Sequence, residues 1–121
     1  MQVRESAEDY LETILFLLQR TGSVRSKDIV IEMGLSKPSV SIAMKKLREE
    51  GMIKMDEDSY ISLTQKGLEV ATKVHDRHLT LYNWLVNNGI SETIAAKDAC
   101  KMEHIISNET FDMIKKQAER L

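Results

Sequence analysis

Residues that break helices are scarce in this chain, with one proline and five glycines among 121 residues. Together with long stretches of helical period, that scarcity implies a mostly helical fold. A single cysteine excludes an intramolecular disulfide and fits a reducing compartment. No apolar run approaches the length of a membrane span, so no membrane partner is expected. The N-terminus, with Arg4, Glu5, Glu8 and Asp9 close together, lacks the apolar core of a secretion signal, and a cytoplasmic protein is expected. A nucleophile–base pair and a Gly-rich phosphate loop are also missing, which argues against an enzyme. The net charge of -2 does not advertise nucleic-acid binding, so the distribution of charge has to decide. The hydrophobic share of 42% and charged share of 30% are those of a folded globular chain. Its length suits one domain, or a small domain with an oligomerisation segment.

What the chain does have is periodicity. Tyr10, Leu11, Ile14, Leu15 and Leu18 make one apolar stripe, predicting a first helix from Ser6 or Ala7 to about Gln19 with Ser6 as N-cap. Thr21-Gly22-Ser23 ends it. A short helix follows from about Ser26 to Met33, stopped by Gly34. Ser36 opens a third, with Pro38 in its first turn, that runs to Glu50 and stops at Gly51. Val40, Ala43, Met44 and Leu47 form its inward face. Pro38, Ser41, Ile42 and Lys45 point outward, flanked by Ser39 and Lys46. Two helices joined by a tight Gly turn, the second with small polar and basic residues outward, read as a helix-turn-helix. The strand-like runs Met52–Met55 and Tyr60–Leu63 around Asp56-Glu57-Asp58-Ser59 add a hairpin, giving a winged helix. Helical folds without nucleic-acid contacts also contain such turns, so a DNA-binding regulator and a protein-interaction module both stay open on pattern alone.

Thr64 caps a long helix from about Gln65 to Asn87, with Leu68, Ala71, Val74, His78, Leu81 and Leu85 on its apolar side. Asn87-Asn88-Gly89 breaks it. Ser91 starts a helix from about Glu92 to Ile106, and Ser107 caps a last one carrying Phe111, Ile114 and Ala118. Trp84, Leu85, Ile94, Ile105, Ile106 and Phe111 exceed what so few helices can bury, which implies a homodimer interface. The expected architecture is mainly α: an N-terminal winged helix-turn-helix over residues 1–63, then a helical domain over 64–121. On the penultimate helix Cys100, Glu103 and His104 stand at i, i+3 and i+4, so a thiolate, a carboxylate and an imidazole share one face. That is a partial divalent-metal site. Further ligand candidates are His78 on the preceding helix and the i, i+3 pair Asp9 and Glu12 on the first. Each alone is more often an ordinary solvated or structural side chain; the case rests on the set.

Four stretches, covering most of the chain, resemble the metal-dependent repressors typified by the diphtheria toxin repressor and the manganese transport regulator. They are Ala7-Glu8-Asp9-Tyr10-Leu11-Glu12-Thr13-Ile14, Leu35-Ser36-Lys37-Pro38-Ser39-Val40-Ser41, Leu63-Thr64-Gln65-Lys66-Gly67, and Asp98 through Ser107, with Arg77-His78 between the last two. The resemblance implies that Asp9, Glu12, His78, Cys100, Glu103 and His104 hold a divalent transition metal as corepressor and that the last domain also dimerises. Asp9 and Glu12 are similar to the manganese branch. Cys100 is similar to the toxin-repressor branch, where manganese regulators carry a metal-bridging Glu. Hard carboxylates favour Mn, a thiolate favours Fe, Co or Zn, and Mn or Fe is the expected metal. Cys100 could ligate through sulfur, through its carbonyl, or not at all. The toxin-repressor branch has an ancillary site at whose positions this chain carries Tyr82 and Ala96, and the resemblance implies a short form in which the SH3-like third domain of longer members is not expected.

The resemblance also implies a double-stranded DNA operator read by Ser36, Lys37, Pro38, Ser39 and Ser41. At Ile42 the toxin-repressor branch has a polar Gln; here an apolar contact to thymine methyls is expected. Arg25, Lys27, Lys45 and Lys46 are expected to neutralise phosphates. The acidic wing tip should be repelled by phosphate and touch DNA little. A winged-helix regulator without metal control, or an interaction module without DNA, are the alternatives.

Overall fold

The computed structural model describes residues 5–119. Residues 1–4 and 120–121, at the two ends of the expected domains and including Arg4, lie outside the described residues. The elements run α1 (Glu5–Thr21), α2 (Ser26–Met33), α3 (Lys37–Glu49), β1 (Ile53–Met55), β2 (Ile61–Leu63), α4 (Gln65–Asn87), α5 (Glu92–Ile105) and α6 (Asn108–Glu119). The chain divides into two compact units, Met1–Thr72 and Lys73–Leu121, with the α4 helix contributing to both. Among the described residues, no helix is long and apolar enough to cross a membrane.

The first unit is a winged helix-turn-helix. Tyr10, Leu11, Ile14 and Leu17 are the buried stripe of α1. Leu17 replaces Leu15 and Leu18, which are only half-buried, as the deepest residue of its turn. Ser6 lies inside α1 instead of capping it, because the helix already includes Glu5. At the other end the helix extends two residues past Gln19. Thr21 Oγ1 donates to the Leu17 carbonyl at 2.9 Å, and Gly22, at φ +83°, turns the chain where a side chain would be strained. α2 keeps its expected bounds, and its Gly34 C-cap takes the left-handed conformation at φ +65°. Ser36 caps α3, accepting from Ser39 N at 3.2 Å. Val40, Met44 and Leu47 turn inward as the pattern required.

The wing is the antiparallel pair β1–β2 in the register Ile53↔Leu63, Lys54↔Ser62 and Met55↔Ile61. Asp56 shapes its turn: Oδ1 accepts from both Asp58 N and Tyr60 N at 2.9 Å, which lets Ser59 adopt φ 68°. Ile61 N donates outward to the Val24 carbonyl at 2.7 Å.

Thr64 begins α4 by accepting from Gly67 N at 3.1 Å, while its own hydroxyl donates to the Gly51 carbonyl at 2.6 Å. The buried stripe of α4 is rotated from the expected one: Gly67, Ala71, Val74, Arg77 and Leu81 are buried, while Leu68 is exposed and His78 and Leu85 are half-buried. The cause is visible at Gly67, where a Cβ would stand 2.0 Å from the Met52 carbonyl oxygen. Only glycine lets α4 approach the strand entry so closely.

The second unit packs Leu81 of α4 against Ala99 of α5 and Phe111 and Ile114 of α6, with Tyr82, Trp84, Met102 and Ile106 around them. Ser91 and Ser107 cap α5 and α6, accepting from Ile94 N and Thr110 N at 3.4 and 3.1 Å. Of the apolar surplus expected here, Phe111 is buried and Trp84, Leu85 and Ile106 are half-buried. Ile94 and Ile105 are open to solvent at 53% and 74%.

Gly67→Ala tests the close approach. With a backbone atom in the way the helix must shift, and we expect a loss of about 1–3 kcal/mol, read as a lower melting temperature of the whole protein. A surface substitution such as Gln65→Ala should change it little.

Candidate metal centre and nucleic-acid interface

In the second unit the sequence places His78 on α4 and Glu103 and His104 in the last turn of α5. Folding brings them together. His78 Nδ1 lies 2.9 Å from Glu103 Oε2, and His104 Nε2 lies 3.4 Å from Glu103 Oε1. The Glu103 side chain is fully buried and that of His104 nearly so. The His78 ring stacks on Tyr82, one turn along α4, with ring planes 14° apart. A Cys100 Sγ–carboxylate oxygen separation within 4.8 Å puts the thiol near Glu103 also, although Cys100 is exposed as a residue.

The electrostatics of this cluster are unusual for a protein interior. A buried carboxylate needs cationic or hydrogen-bonding partners, since isolation from water costs several kcal/mol. Glu103 Oε2 has the His78 contact. Glu103 Oε1 is buried and makes no hydrogen bond. His104 Nε2 is near enough to attract it, but the two are not joined by a hydrogen bond. Two imidazoles and a carboxylate with an unsatisfied oxygen are the donor set that a divalent transition ion takes, and the residues present fit such an ion. Asp9 and Glu12 belong to the first unit, half-buried on neighbouring turns of α1.

A residue that sequence reasoning passed over lies beside this cluster. Arg77, 8% exposed, donates through Nη1 to the carbonyls of Glu103 and Ile106, both at 3.1 Å, and through Nη2 to Asn108 Oδ1. Its guanidinium also covers the Phe111 ring at 5.1 Å. The signal was available: Arg77 is in register with Ala71 and Val74 on the buried side of α4, and a cation there needs buried acceptors.

In the first unit, Ser36, Lys37, Pro38, Ser39, Ser41, Ile42, Lys45 and Lys46 are all exposed along α3, with Ile42 at 70%. Ser36 Oγ donates to Ser39 Oγ at 2.8 Å, so the two hydroxyls form one polar group at the helix N-terminus. Lys27 is exposed at the start of α2. Arg25 is half-buried, with its guanidinium 4.3 Å from the Tyr60 ring centroid and its backbone N–H donating to the Asp28 carboxylate at 2.8 Å. This cation therefore braces the wing against the start of α2. The acidic wing has a divided role: Asp56 is engaged in the turn, while Glu57 and Asp58 face solvent.

Residues 2–61 match the family described as iron dependent repressor, N-terminal DNA binding domain, and residues 64–121 match iron dependent repressor, metal binding and dimerisation domain. The chain belongs to this family of metal-dependent, DNA-binding transcriptional repressors, whose members are regulators and not enzymes. It is 37% identical over 109 residues to the transcriptional regulator MntR of Escherichia coli O6:H1, covering 90% of this chain and 70% of that one. It is 34% identical over 113 residues to an uncharacterized helix-turn-helix-type regulator of Methanocaldococcus jannaschii, covering 92% and 90%. Among solved structures, the manganese regulator SloR superposes with a TM-score of 0.83 at 27% identity, over 100% of this chain and 56% of that one. A manganese-dependent transcriptional repressor in complex with manganese gives 0.81 at 28% identity, over 93% and 52%. The chain thus spans about half the length of those two solved proteins.

Glu103→Gln separates the charge from the shape. We expect the metal-free variant to melt no lower than the parent, since a buried charge is removed. If Glu103 is a ligand, Mn2+ affinity should fall by about 100-fold or more in calorimetric titration, its carboxylate having become an amide.

Proposed function

We propose that this chain is a cytoplasmic, homodimeric repressor that binds its DNA operator when a divalent metal, Mn or Fe, is available. The observation that supports it most is the buried Glu103 carboxylate between two imidazoles, with one oxygen unsatisfied. Family membership supplies the DNA-binding and dimerising context. In this reading the functional boundary falls at residues 63 and 64, where Thr64 caps α4. His78, Glu103 and His104 hold the ion from one side of that boundary, and Asp9 and Glu12, by family resemblance and their shared helical face, from the other. Cys100 is the sixth candidate. The carboxylates favour Mn, and sulfur ligation by Cys100 would move the preference toward Fe, Zn or Co.

When bound, the cation supplies positive charge that neutralises the carboxylates. The remaining work is done by the chain. Without neutralisation, Asp9 and Glu12 are repelled by Glu103, so the DNA-binding and dimerisation domains are loosely coupled. With their charges balanced, the same carboxylates tie α1 to the end of α5 and fix the spacing of two recognition helices in the dimer. Metal and DNA then strengthen each other's binding by the same factor, as linkage requires. At the DNA, Ser36, Lys37, Pro38, Ser39 and Ser41 meet the major groove, and Ile42 offers an apolar surface to thymine methyls. Lys27, Lys45 and Lys46 neutralise phosphates, joined by the part of Arg25 that Tyr60 leaves uncovered.

Operator binding measured by fluorescence anisotropy, with Mn2+, Fe2+ and Zn2+ titrated in turn, tests the reading. Affinity should rise at least tenfold with the cognate metal; equal affinity with and without any of them would select a metal-independent regulator. Lys45→Ala should lower the slope of log affinity against log salt by about 1, weakening all sequences alike. Ile42→Ala should leave that slope unchanged and reduce discrimination at a thymine position by about 1 kcal/mol.

A further inference from the structure

We propose that Arg77 is a positioning residue for the metal centre, holding the end of α5 so that Glu103 and His104 present their side chains as a preformed ligand pair. The inference rests on the metal-responsive reading above and adds to it a residue outside the ligand set.

Glu103 and His104 lie in the last turn of α5, where backbone carbonyls lack partners within the helix and the chain tends to fray. Ligands at a fraying end would be poorly placed for an ion. Ile106 N donates to the Met102 carbonyl at 3.2 Å and closes one such group. Arg77 closes two others: Nη1 bridges the carbonyls of Glu103 and Ile106. The second arm of the fork reaches Asn108, the first residue of α6, and thereby fixes the corner between the helices. A cation at this end of α5 is also favoured by the helix dipole.

The neighbour of Arg77 completes the clamp. Arg77 and His78 are consecutive on α4, so they project about 100° apart. One grips the backbone of Glu103 and the other approaches its carboxylate, at 3.1 and 2.9 Å. Glu103 is thus held at two points by one turn of a single helix, which restricts both where its Cα sits and where its carboxylate aims. Arg77 is 8% exposed and its Nη donors face inward, so the group is neither a DNA contact nor a solvent cation. Lysine could not substitute, because its single ammonium lacks the planar fork that bridges separate acceptors.

The test compares the wild-type protein with Arg77→Gln, Asn108→Ala and Ile114→Ala, each melted without metal and titrated with Mn2+ by calorimetry well below its melting point. Partners that orient metal ligands typically change affinity by about 10- to 100-fold when removed, and Arg77→Gln should weaken Mn2+ binding in that range. Asn108→Ala, which removes only one arm's acceptor, should weaken it less. Ile114→Ala opens the nearby apolar core without touching the clamp; it should melt lower yet bind Mn2+ as the wild type does. A folded Arg77→Gln protein with wild-type affinity would overturn the proposal. So would an Ile114→Ala protein that loses affinity as much as Arg77→Gln, since general loosening would then suffice. If Arg77→Gln does not fold, unchanged affinity in Asn108→Ala overturns it and a measurable loss supports it. A wild-type protein that binds none of Mn2+, Fe2+ and Zn2+ defeats the underlying functional reading instead, and is told apart by that arm alone.

Discussion

The interior position of one carboxylate constrains the rest of the C-terminal unit. Glu103 cannot be buried for its own sake, because an ionised carboxylate in an apolar interior is costly and a partly satisfied one only slightly less so. Each neighbouring feature answers that cost. His78 approaches one oxygen, Tyr82 supports the imidazole that does so, and His104 approaches the other oxygen without bonding it. The same turn of α5 has its backbone secured by Arg77, so the arrangement is not free to relax toward solvent. Glu103 Oε1 is left without a hydrogen bond. In the proposed function a cation meets that demand for positive charge, which a neutral effector would not.

The N-terminal unit follows a different logic, with an apolar core beneath its helices and its polar and basic residues at the surface. Val40, Met44 and Leu47 anchor α3 from beneath, which leaves its outer face free of packing demands. Ile42 is exposed because nothing in the fold needs it buried. Arg25 illustrates the converse, a basic residue whose charge is partly taken by an aromatic ring of the wing, so that counting cations overstates the field offered to phosphate. The acidic residues of the wing similarly divide between shaping a turn and facing water.

Much of this was legible in the residues. The helix limits at Ser26 and Met33, the caps at Ser36, Thr64, Ser91 and Ser107, and the inward face of α3 follow from local chemistry, which a sequence states directly. Given a helix there, the i, i+3, i+4 spacing of Cys100, Glu103 and His104 placed them on one face by arithmetic alone. What the sequence could not state was the outcome of long-range packing. The rotation of α4 depends on Met52 lying against Gly67, fifteen positions along the chain, and no local pattern contains that approach. Arg77 escaped for the same reason: its acceptors are carbonyls at the end of a different helix, and backbone acceptors carry no sequence signature. Candidate ligands were read from side-chain type, whereas the bonds that hold their backbone depend on long-range geometry.

The outward hydrogen bond from Ile61 to Val24 has a consequence for how copies of this protein can coexist on one stretch of DNA. In the register of the hairpin, Ile61 is a residue of β2 whose N–H points away from β1, and such an edge is where a foreign strand would add. The Val24 carbonyl occupies that position from within. The wing edge is therefore partly taken by its own chain, which disfavours neighbouring repressors zipping their sheets into a continuous ribbon there. Assembly is left to the helical domain, where the number of subunits can be fixed.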